Sequence, residues 1–174
     1  AYSDKEELKG KYVETSRQNF LSTLDISTYS FTRISKSASK IMNNGGSLLT
    51  LTYVGSNKTT PNYNVMGVAK AALETSVKYL SVDLGKNNIR VNAISAGPMK
   101  TIAGAAISGA RHVYRYSEKI APLQKNPDLE QVGNAALYLL SDISSGVTGL
   151  THYVDGGLKA VSYTHLRAHE TAMY

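Results

Sequence analysis

The strongest constraint on the fold is a set of short apolar segments that alternate with longer helical stretches. Each segment is followed by glycine, and such runs are typical of strands buried on both faces of a parallel sheet. The predicted strands are residues 47–54, 89–96 and 150–155, and the predicted helices are residues 11–21, 24–42, 64–84 and 128–140. This alternation predicts an α/β fold with a parallel sheet.

Three strands make a thin sheet, whereas parallel sheets normally have both faces covered. We therefore predict a partial Rossmann-type, doubly wound parallel sheet, the C-terminal half of a single domain, over residues 1–160. Residues 161–174 show no clear periodicity and are similar to translated sequencing-adapter read-through, so we predict that they form a non-native tail. The tail contains His165 and His169. We predict no metal site, and a zinc-binding role for these histidines is the alternative.

The composition excludes several classes of protein. The chain has no cysteine, which excludes a disulfide framework and a thiolate metal site. No apolar run approaches the roughly 20 residues that cross a bilayer, and the N-terminus lacks the apolar core of a signal peptide. We therefore predict a cytoplasmic protein without membrane contact. The net charge is +6, but the basic residues are spread along the chain. This favours a solvated basic surface over nucleic-acid binding, with attraction to an acidic partner as the alternative.

Tyr63 and Lys70 are the pair of residues most suited to chemistry. They are seven residues apart, close to two helical turns, so they share one face of the predicted helix. A neighbouring ammonium favours the ionised or strongly hydrogen-bonding form of a phenol, which suits an acid or an anion stabiliser. Taken alone, such a pair is also typical of a surface stripe on a helix.

The context of this pair indicates a binding site. Tyr53 lies at the end of the first predicted strand, and Gly97 and Thr101 follow the second. Ligands of open α/β sheets bind at the carboxyl ends of the strands. A glycine there permits close approach of the backbone to a ligand, and Thr101 offers a hydroxyl to a phosphate or an amide.

Together these features resemble the short-chain dehydrogenase/reductase superfamily: Tyr63, six intervening residues and Lys70, then RVNAISAGP at 90–98, and a late DGG at 155–157. Within that superfamily, four motifs resemble bacterial NADH-dependent enoyl-(acyl-carrier-protein) reductases. They are LTYVG at 51–55, PNYNVMG at 61–67, ISAGP at 94–98 and HYVDGG at 152–157. The resemblance covers roughly residues 1–157. It implies NADH-dependent reduction of trans-2-enoyl thioesters in fatty-acid elongation, with NADPH left open as the cofactor.

The resemblance also implies roles for individual residues. Tyr63 hydrogen-bonds the thioester oxygen on which negative charge builds, and Lys70 holds the nicotinamide ribose. Tyr53 lines the acyl pocket and assists protonation, or else is a strand-end aromatic packed on the core. The implied catalytic residues are Tyr53, Tyr63 and Lys70; the cofactor-binding residues are Lys70, Gly97, Pro98, Met99, Lys100, Thr101, Ile102 and Ala103; the substrate-binding residues are Tyr53, Tyr63, Met66, Ala103 and Ile107.

Residues 101–116 correspond to the mobile substrate-binding segment of that family, and their small side chains fit a lid that orders on ligand binding. Arg111, Arg115 and Lys119 lie in or just after it. Arg111 is the implied contact for the acidic acyl carrier protein, with a solvated basic helix face as the alternative. The family further implies a homotetramer, with helices 24–42 and 64–84 at its subunit interfaces.

Two departures keep rival functions open. Thr50 stands thirteen residues before Tyr63, where 3-ketoacyl reductases of the superfamily carry serine; the spacing of Tyr53 and Tyr63 instead favours enoyl reductases. The sequence also contains no glycine-rich turn between a strand and a helix to seat a pyrophosphate. We therefore expect this chain to be part of a longer enzyme and inactive alone. A non-catalytic interaction protein is the second alternative.

Overall fold

The computed structural model describes residues 1–101 and 109–161, and a three-stranded parallel sheet lies at its centre. The strands are β1 (Gly46–Thr52), β2 (Ile89–Ala96) and β3 (Thr151–Val154), in the order β1-β2-β3. The register places Leu48 opposite Val91 and Ile94 opposite His152. The predicted parallel sheet is confirmed, and so are the bounds of β2. β1 ends two residues before its predicted end, which leaves Tyr53 in the loop that follows.

Five α-helices are present in the described residues. They are α1 (Arg17–Leu24), α2 (Ser30–Ser39), α3 (Asn64–Gly85), α4 (Ala110–Ile120) and α5 (Leu129–Leu140). The predicted helices 64–84 and 128–140 are confirmed, and Asp128 and Gln131 form the expected capping box of α5. The predicted boundary between the first two helices is wrong. α1 begins where Ser16 caps it, and a π-helical turn over Asp25–Tyr29 joins α1 directly to α2.

Both faces of the sheet are covered by helices, α3 on one face and α5 on the other. Alternate side chains of β2 point to opposite faces, so the strand contributes to both layers. Val91 and Ala93 pack with Val77 and Leu80 of α3, and Ile94 and Ala96 pack with Val132 and Leu139 of α5. Each fully buried Val, Leu or Ile contributes about 1.5–3 kcal/mol. This layered core confirms the α/β, doubly wound class.

Arg90, near the start of β2, fixes α5 against the sheet in a way that the sequence did not indicate. Its guanidinium donates hydrogen bonds to the carbonyl oxygens of Leu139 and Ser141, at 2.9 and 3.0 Å, and to the Ser144 hydroxyl at 2.8 Å. A cation at the C-terminal end of a helix also interacts favourably with the helix dipole. The end of α5 is therefore held by charge-assisted hydrogen bonds.

Some predictions fall outside the described residues, among them nearly all of the proposed tail, from 162 to 174, with both of its histidines. Within the described ranges, no helix is long and apolar enough to cross a membrane. The same ranges contain no group of three or more His, Asp or Glu side chains that could hold a metal ion.

Candidate active site

The three predicted catalytic residues meet at the carboxyl end of the sheet. Tyr53 directly follows β1, Tyr63 is the residue before α3, and Lys70 lies two turns along that helix. All three line one open cleft of about 1480 Å³. Its wall also includes Leu8 and Met66, an N-terminal segment over 1–5, residues 96–101 after β2, and side chains of α4.

Tyr63 is buried, with only 7% of its surface exposed, among Leu8, Val65, Met66 and Ala69. The surface-stripe interpretation of the pair is therefore wrong. Burial raises the pKa of Tyr63 above its usual value, and the neighbouring Tyr53 raises this pKa further. Of the two forms that the sequence left open, the structure favours the protonated phenol, which donates a hydrogen bond at neutral pH.

Tyr53 packs its ring edge-on against Tyr63, with the ring centroids 5.2 Å apart and an interplanar angle of 67°. An edge-to-face pair of this kind is favourable beyond its buried area. Tyr53 also lines the cleft. Tyr53 therefore packs against Tyr63 and is also accessible to a ligand in the cleft. Its role in protonation stays a prediction.

Lys70 has an ammonium group that donates a hydrogen bond to the carbonyl oxygen of Leu51, at 2.9 Å. Burial lowers the pKa of Lys70, and the carboxylate of Glu74 partly offsets that effect. An ammonium carries three donors. Lys70 can therefore brace β1 while it presents a donor to a ligand in the cleft.

The loop between β1 and α3 lies very close to the start of the helix, which sequence reasoning missed. A Cβ added to Gly55 would lie 2.5 Å from Cδ1 of Tyr63, and one added to Gly67 would lie 2.8 Å from the carbonyl oxygen of Gly55. Real Cβ atoms do not approach this closely, so the two glycines are required where they stand. They allow the ring of Tyr63 to lie directly against the loop that carries Tyr53.

Gly97 is closely packed against other parts of the protein. A Cβ there would lie 2.9 Å from both Cα of Asp155 and Cδ of Pro127. Packing within the protein is by itself enough to require the glycine. Its contact with a cofactor stays a prediction.

The remaining predicted residues are only partly described. Met66, Gly97, Pro98, Met99, Lys100 and Thr101 all line the cleft, as does Arg111 of α4. Lys100 places its ammonium 5.1 Å from the centre of the Tyr114 ring. Ile102, Ala103 and Ile107 lie outside the described residues. Arg111 and Arg115 are exposed and form, with Lys100, a basic rim to the cleft.

Glu74 was not among the predicted site residues, although it lies one helical turn beyond Lys70. Its carboxylate accepts hydrogen bonds from the hydroxyls of Thr52 and Ser56 and from the amide of Asn57. Its spacing of four from Lys70 was visible in the sequence. The loop contacts that give it importance are long-range and were not.

A parallel sheet with covered faces, and a buried tyrosine two turns before a lysine at its carboxyl edge, define a protein of the short-chain dehydrogenase/reductase type. Comparison with known families makes the assignment more specific. The family model described as enoyl-(acyl carrier protein) reductase matches residues 1–159. The chain belongs to this family, as its motifs predicted.

Individual relatives agree with the family match. The chain is 60% identical over 161 residues to enoyl-(acyl-carrier-protein) reductase (NADH) 1 of Rhizobium meliloti strain 1021, covering 92% of this chain and 59% of the relative. It is 50% identical over 161 residues to the enoyl-(acyl-carrier-protein) reductase (NADPH) of Staphylococcus aureus strain MRSA252, covering 92% of this chain and 63% of the relative.

Among solved structures, the chain resembles the enoyl-(acyl-carrier-protein) reductase of Anaplasma phagocytophilum, determined in complex with NAD. The identity is 57% and the TM-score 0.90, over 93% of this chain and 62% of that chain. The chain thus spans about three fifths of the length of the relatives that it matches.

Proposed function

We propose that this chain carries the catalytic residues of an NADH-dependent enoyl-(acyl-carrier-protein) reductase, which acts in fatty-acid elongation. The observation that carries the proposal is the buried Tyr63 on the wall of the cleft, with Lys70 two turns along the same helix. The names of the relatives support the same reaction.

The residues of the cleft fit a nicotinamide cofactor. The ammonium of Lys70 and the hydroxyl of Thr101 are suited to ribose and amide or phosphate groups, and the cleft exceeds the roughly 300–1,000 Å³ of usual small-molecule sites. The residues proposed to hold the cofactor are Lys70 and those from Gly97 to Ala103. When bound, the nicotinamide supplies a hydride to the β-carbon of the enoyl group. NADH is the proposed form because the Rhizobium relative is named for it, with NADPH as the other candidate.

Tyr63 then stabilises the charge that the reaction creates. Hydride addition to the β-carbon moves an electron pair toward the thioester oxygen, and an enolate results. Because Tyr63 keeps its proton, its hydroxyl can donate a hydrogen bond to that oxygen. A proton delivered to the α-carbon completes the saturated thioester. Tyr53 is proposed to line the acyl pocket and to assist this last proton transfer.

The partners of the reaction follow from the surface. Arg111 and Arg115 at the rim are proposed to meet the acidic acyl carrier protein, because opposite charges steer such encounters. A homotetramer is proposed from exposed apolar side chains on the two long helical stretches, Ile34, Tyr79 and Val82. Cytoplasmic localisation is part of the same proposal.

The test compares two substrates and uses the protein encoded by the complete reading frame that contains this chain. NADH oxidation is followed with a trans-2-enoyl thioester and, separately, with a 3-ketoacyl thioester. We expect turnover of the enoyl substrate. Thr50 supports this expectation, since it lies inside β1 opposite Ala93 rather than in the loop after the strand. Preference for the 3-ketoacyl substrate would establish a ketoreductase, and no turnover of either would favour a non-catalytic interaction protein.

A further inference from the structure

Glu74 occupies a central place in the site that the proposed reaction does not explain. It lies on α3, and its Oε1 accepts a hydrogen bond from the hydroxyl of Thr52, the last residue of β1, at 2.7 Å. The hydroxyl of Ser56 donates to the same oxygen. Oε2 accepts from the side-chain amide of Asn57, at 3.2 Å. One carboxylate therefore holds both ends of the segment in which Tyr53 lies.

Lys70 forms a hydrogen bond to the residue of β1 that precedes Thr52. Its ammonium donates to the carbonyl oxygen of Leu51, directly before Thr52. Residues four apart on a helix lie on the same face, so Lys70 and Glu74 are adjacent. The two side chains together hold the carboxyl end of β1 against α3.

We propose that Glu74 is a positioning residue, which couples the loop carrying Tyr53 to Lys70 through its hydrogen bonds to the loop and its opposite charge beside the ammonium. This role rests on the active site proposed above, because Tyr53 and Lys70 are the residues that Glu74 positions. Glu74 itself does not line the cleft and is assigned no contact with substrate.

The charge of Glu74 acts on Lys70 in the direction that the proposal requires. Burial lowers the pKa of Lys70, and Glu74 raises it. The α-amino group of Ala1 is also electrostatically coupled to Lys70. Other titratable or charged groups on the wall of the same cleft are Tyr2, Asp4, Lys5, Tyr53, Tyr63, Lys100, Arg111, Tyr114, Arg115 and Glu118. Of all these groups, Glu74 is the one whose carboxylate counteracts the effect of burial on Lys70.

The test uses the variants Glu74→Gln and Glu74→Ala, with Glu130→Gln as the matched control. Glu130 is an exposed glutamate on α5, so its substitution makes the same change of net charge away from the site. Two readouts are taken by mass spectrometry. Competitive acetylation across pH reports the titration of the Lys70 amine, and amide hydrogen exchange reports the opening of residues 53–57.

We expect the Lys70 midpoint to move to lower pH in both Glu74 variants and to stay in place in Glu130→Gln. Exchange over 53–57 should become about tenfold faster in Glu74→Ala, because the hydrogen bonds from Thr52 at the end of β1 and from Ser56 and Asn57 in the loop are lost. Glu74→Gln keeps acceptor capacity at Oε1 and should restore much of the protection, although not the Lys70 midpoint. If Glu74→Gln restores the protection but not the midpoint, the effect of the hydrogen bonds on the loop is separated from the effect of the charge on Lys70.

A role in stability alone would leave the Lys70 midpoint unchanged, and that result would overturn the proposal. Unchanged exchange over 53–57 in Glu74→Ala would overturn it equally. Thr52→Val removes the donor at the end of β1 with little change of shape, and it keeps the test valid if the Glu74 variants misfold. It should speed exchange and leave the Lys70 midpoint in place. Neither readout requires turnover, so failure of the proposed reaction would be seen separately.

Discussion

Tyr63 is the side chain on which the proposed chemistry depends, and its burial decides which form it takes. A surface tyrosine would be protonated at neutral pH as well, but it would compete with water for every partner. In the apolar surroundings of Leu8 and Met66, a hydrogen bond from the phenol is electrostatically stronger. The same burial that raises the pKa thus prepares the donor for a developing negative charge.

Removal of that donor should lower the rate rather than disturb the fold. For Tyr63→Phe in the complete reading frame, we expect kcat to fall by about 10²–10³-fold, the usual effect of losing one oxyanion donor. The KM for NADH should change little, because Lys70 remains. Steady-state NADH oxidation measures both, and Tyr12→Phe is the control, since Tyr12 lies outside the cleft with 47% of its surface exposed. Retention of about half the wild-type kcat would contradict the role.

The raised pKa of Tyr63 also predicts how stability depends on pH. Above about pH 10 the unfolded chain releases the phenolic proton while the folded chain retains it, so the folded state binds more protons and stability falls as pH rises. Below about pH 10 both states are protonated and the effect is absent. For each pH unit above 10, the free energy of unfolding should therefore fall by up to about 1.4 kcal/mol less in Tyr63→Phe than in the wild type. Denaturant unfolding at several alkaline pH values measures this, and parallel curves for the two proteins would refute it.

At the scale of elements, the segment from β1 to α3 is the unit that builds the site. β1 ends at Thr52, the loop turns back through Gly55, and α3 begins at Asn64. The loop can take this path because Gly55 and Gly67 allow the backbone and the Tyr63 ring to meet. The geometry of the site therefore depends on the absence of two side chains as well as on the presence of reactive ones.

Alanine substitutions at two glycines should have opposite effects on stability, because Gly55 makes this close contact and Gly133 does not. Gly55→Ala would force a methyl group against the Tyr63 ring and should destabilise the protein by about 1–3 kcal/mol. Gly133→Ala, in the middle of α5, meets nothing within 4 Å and should stabilise by up to about 1 kcal/mol, because alanine is the better helix former. Denaturant unfolding of both variants is the measurement. Equal effects of the two substitutions would show that the loop can yield at Gly55.

The elements with regular local patterns were predictable from the sequence, and those decided by distant contacts were not. β2 and α3 follow from apolar periodicity, and α5 from its capping box at Asp128. The π-helical turn before α2 was missed. There the Thr28 hydroxyl donates to the carbonyl oxygen of Ala69, 41 residues away, and no local pattern encodes that contact.

The site divides in the same way. Tyr63 and Lys70 could be found because both lie on one helix at a fixed spacing. Glu74 was missed, since its importance comes from partners on another element. The N-terminal wall of the cleft was missed as well. It is held by a buried polar cluster in which the hydroxyls of Ser3 and Thr23 both donate to Oδ1 of Asn19.

At the scale of the whole molecule, the proposed site accounts for one half of what a dinucleotide needs. Lys70 and residues 97–101 line the cleft and are the residues proposed to hold the nicotinamide end. The other end requires a pyrophosphate-binding site, which in this fold class is a glycine-rich turn between a strand and a helix. No such turn occurs in the printed sequence, while about two fifths of each relative's length lies outside the matched region.

The 174-residue chain expressed alone should therefore bind NADH weakly and reduce little enoyl thioester. Each tenfold loss of affinity corresponds to about 1.4 kcal/mol, and the absent pyrophosphate contacts should cost at least about 100-fold. Fluorescence titration with NADH measures the affinity of this chain and of the complete reading frame side by side. Lys70→Met in the complete frame is the comparison variant, because it removes the proposed contact at the nicotinamide end, together with the hydrogen bond to Leu51, and leaves the pyrophosphate end unchanged. If the chain alone bound NADH as tightly as the complete frame, the pyrophosphate would have to be held by residues in the printed sequence, and the basic rim at Lys100 and Arg111 would be the place to look for them.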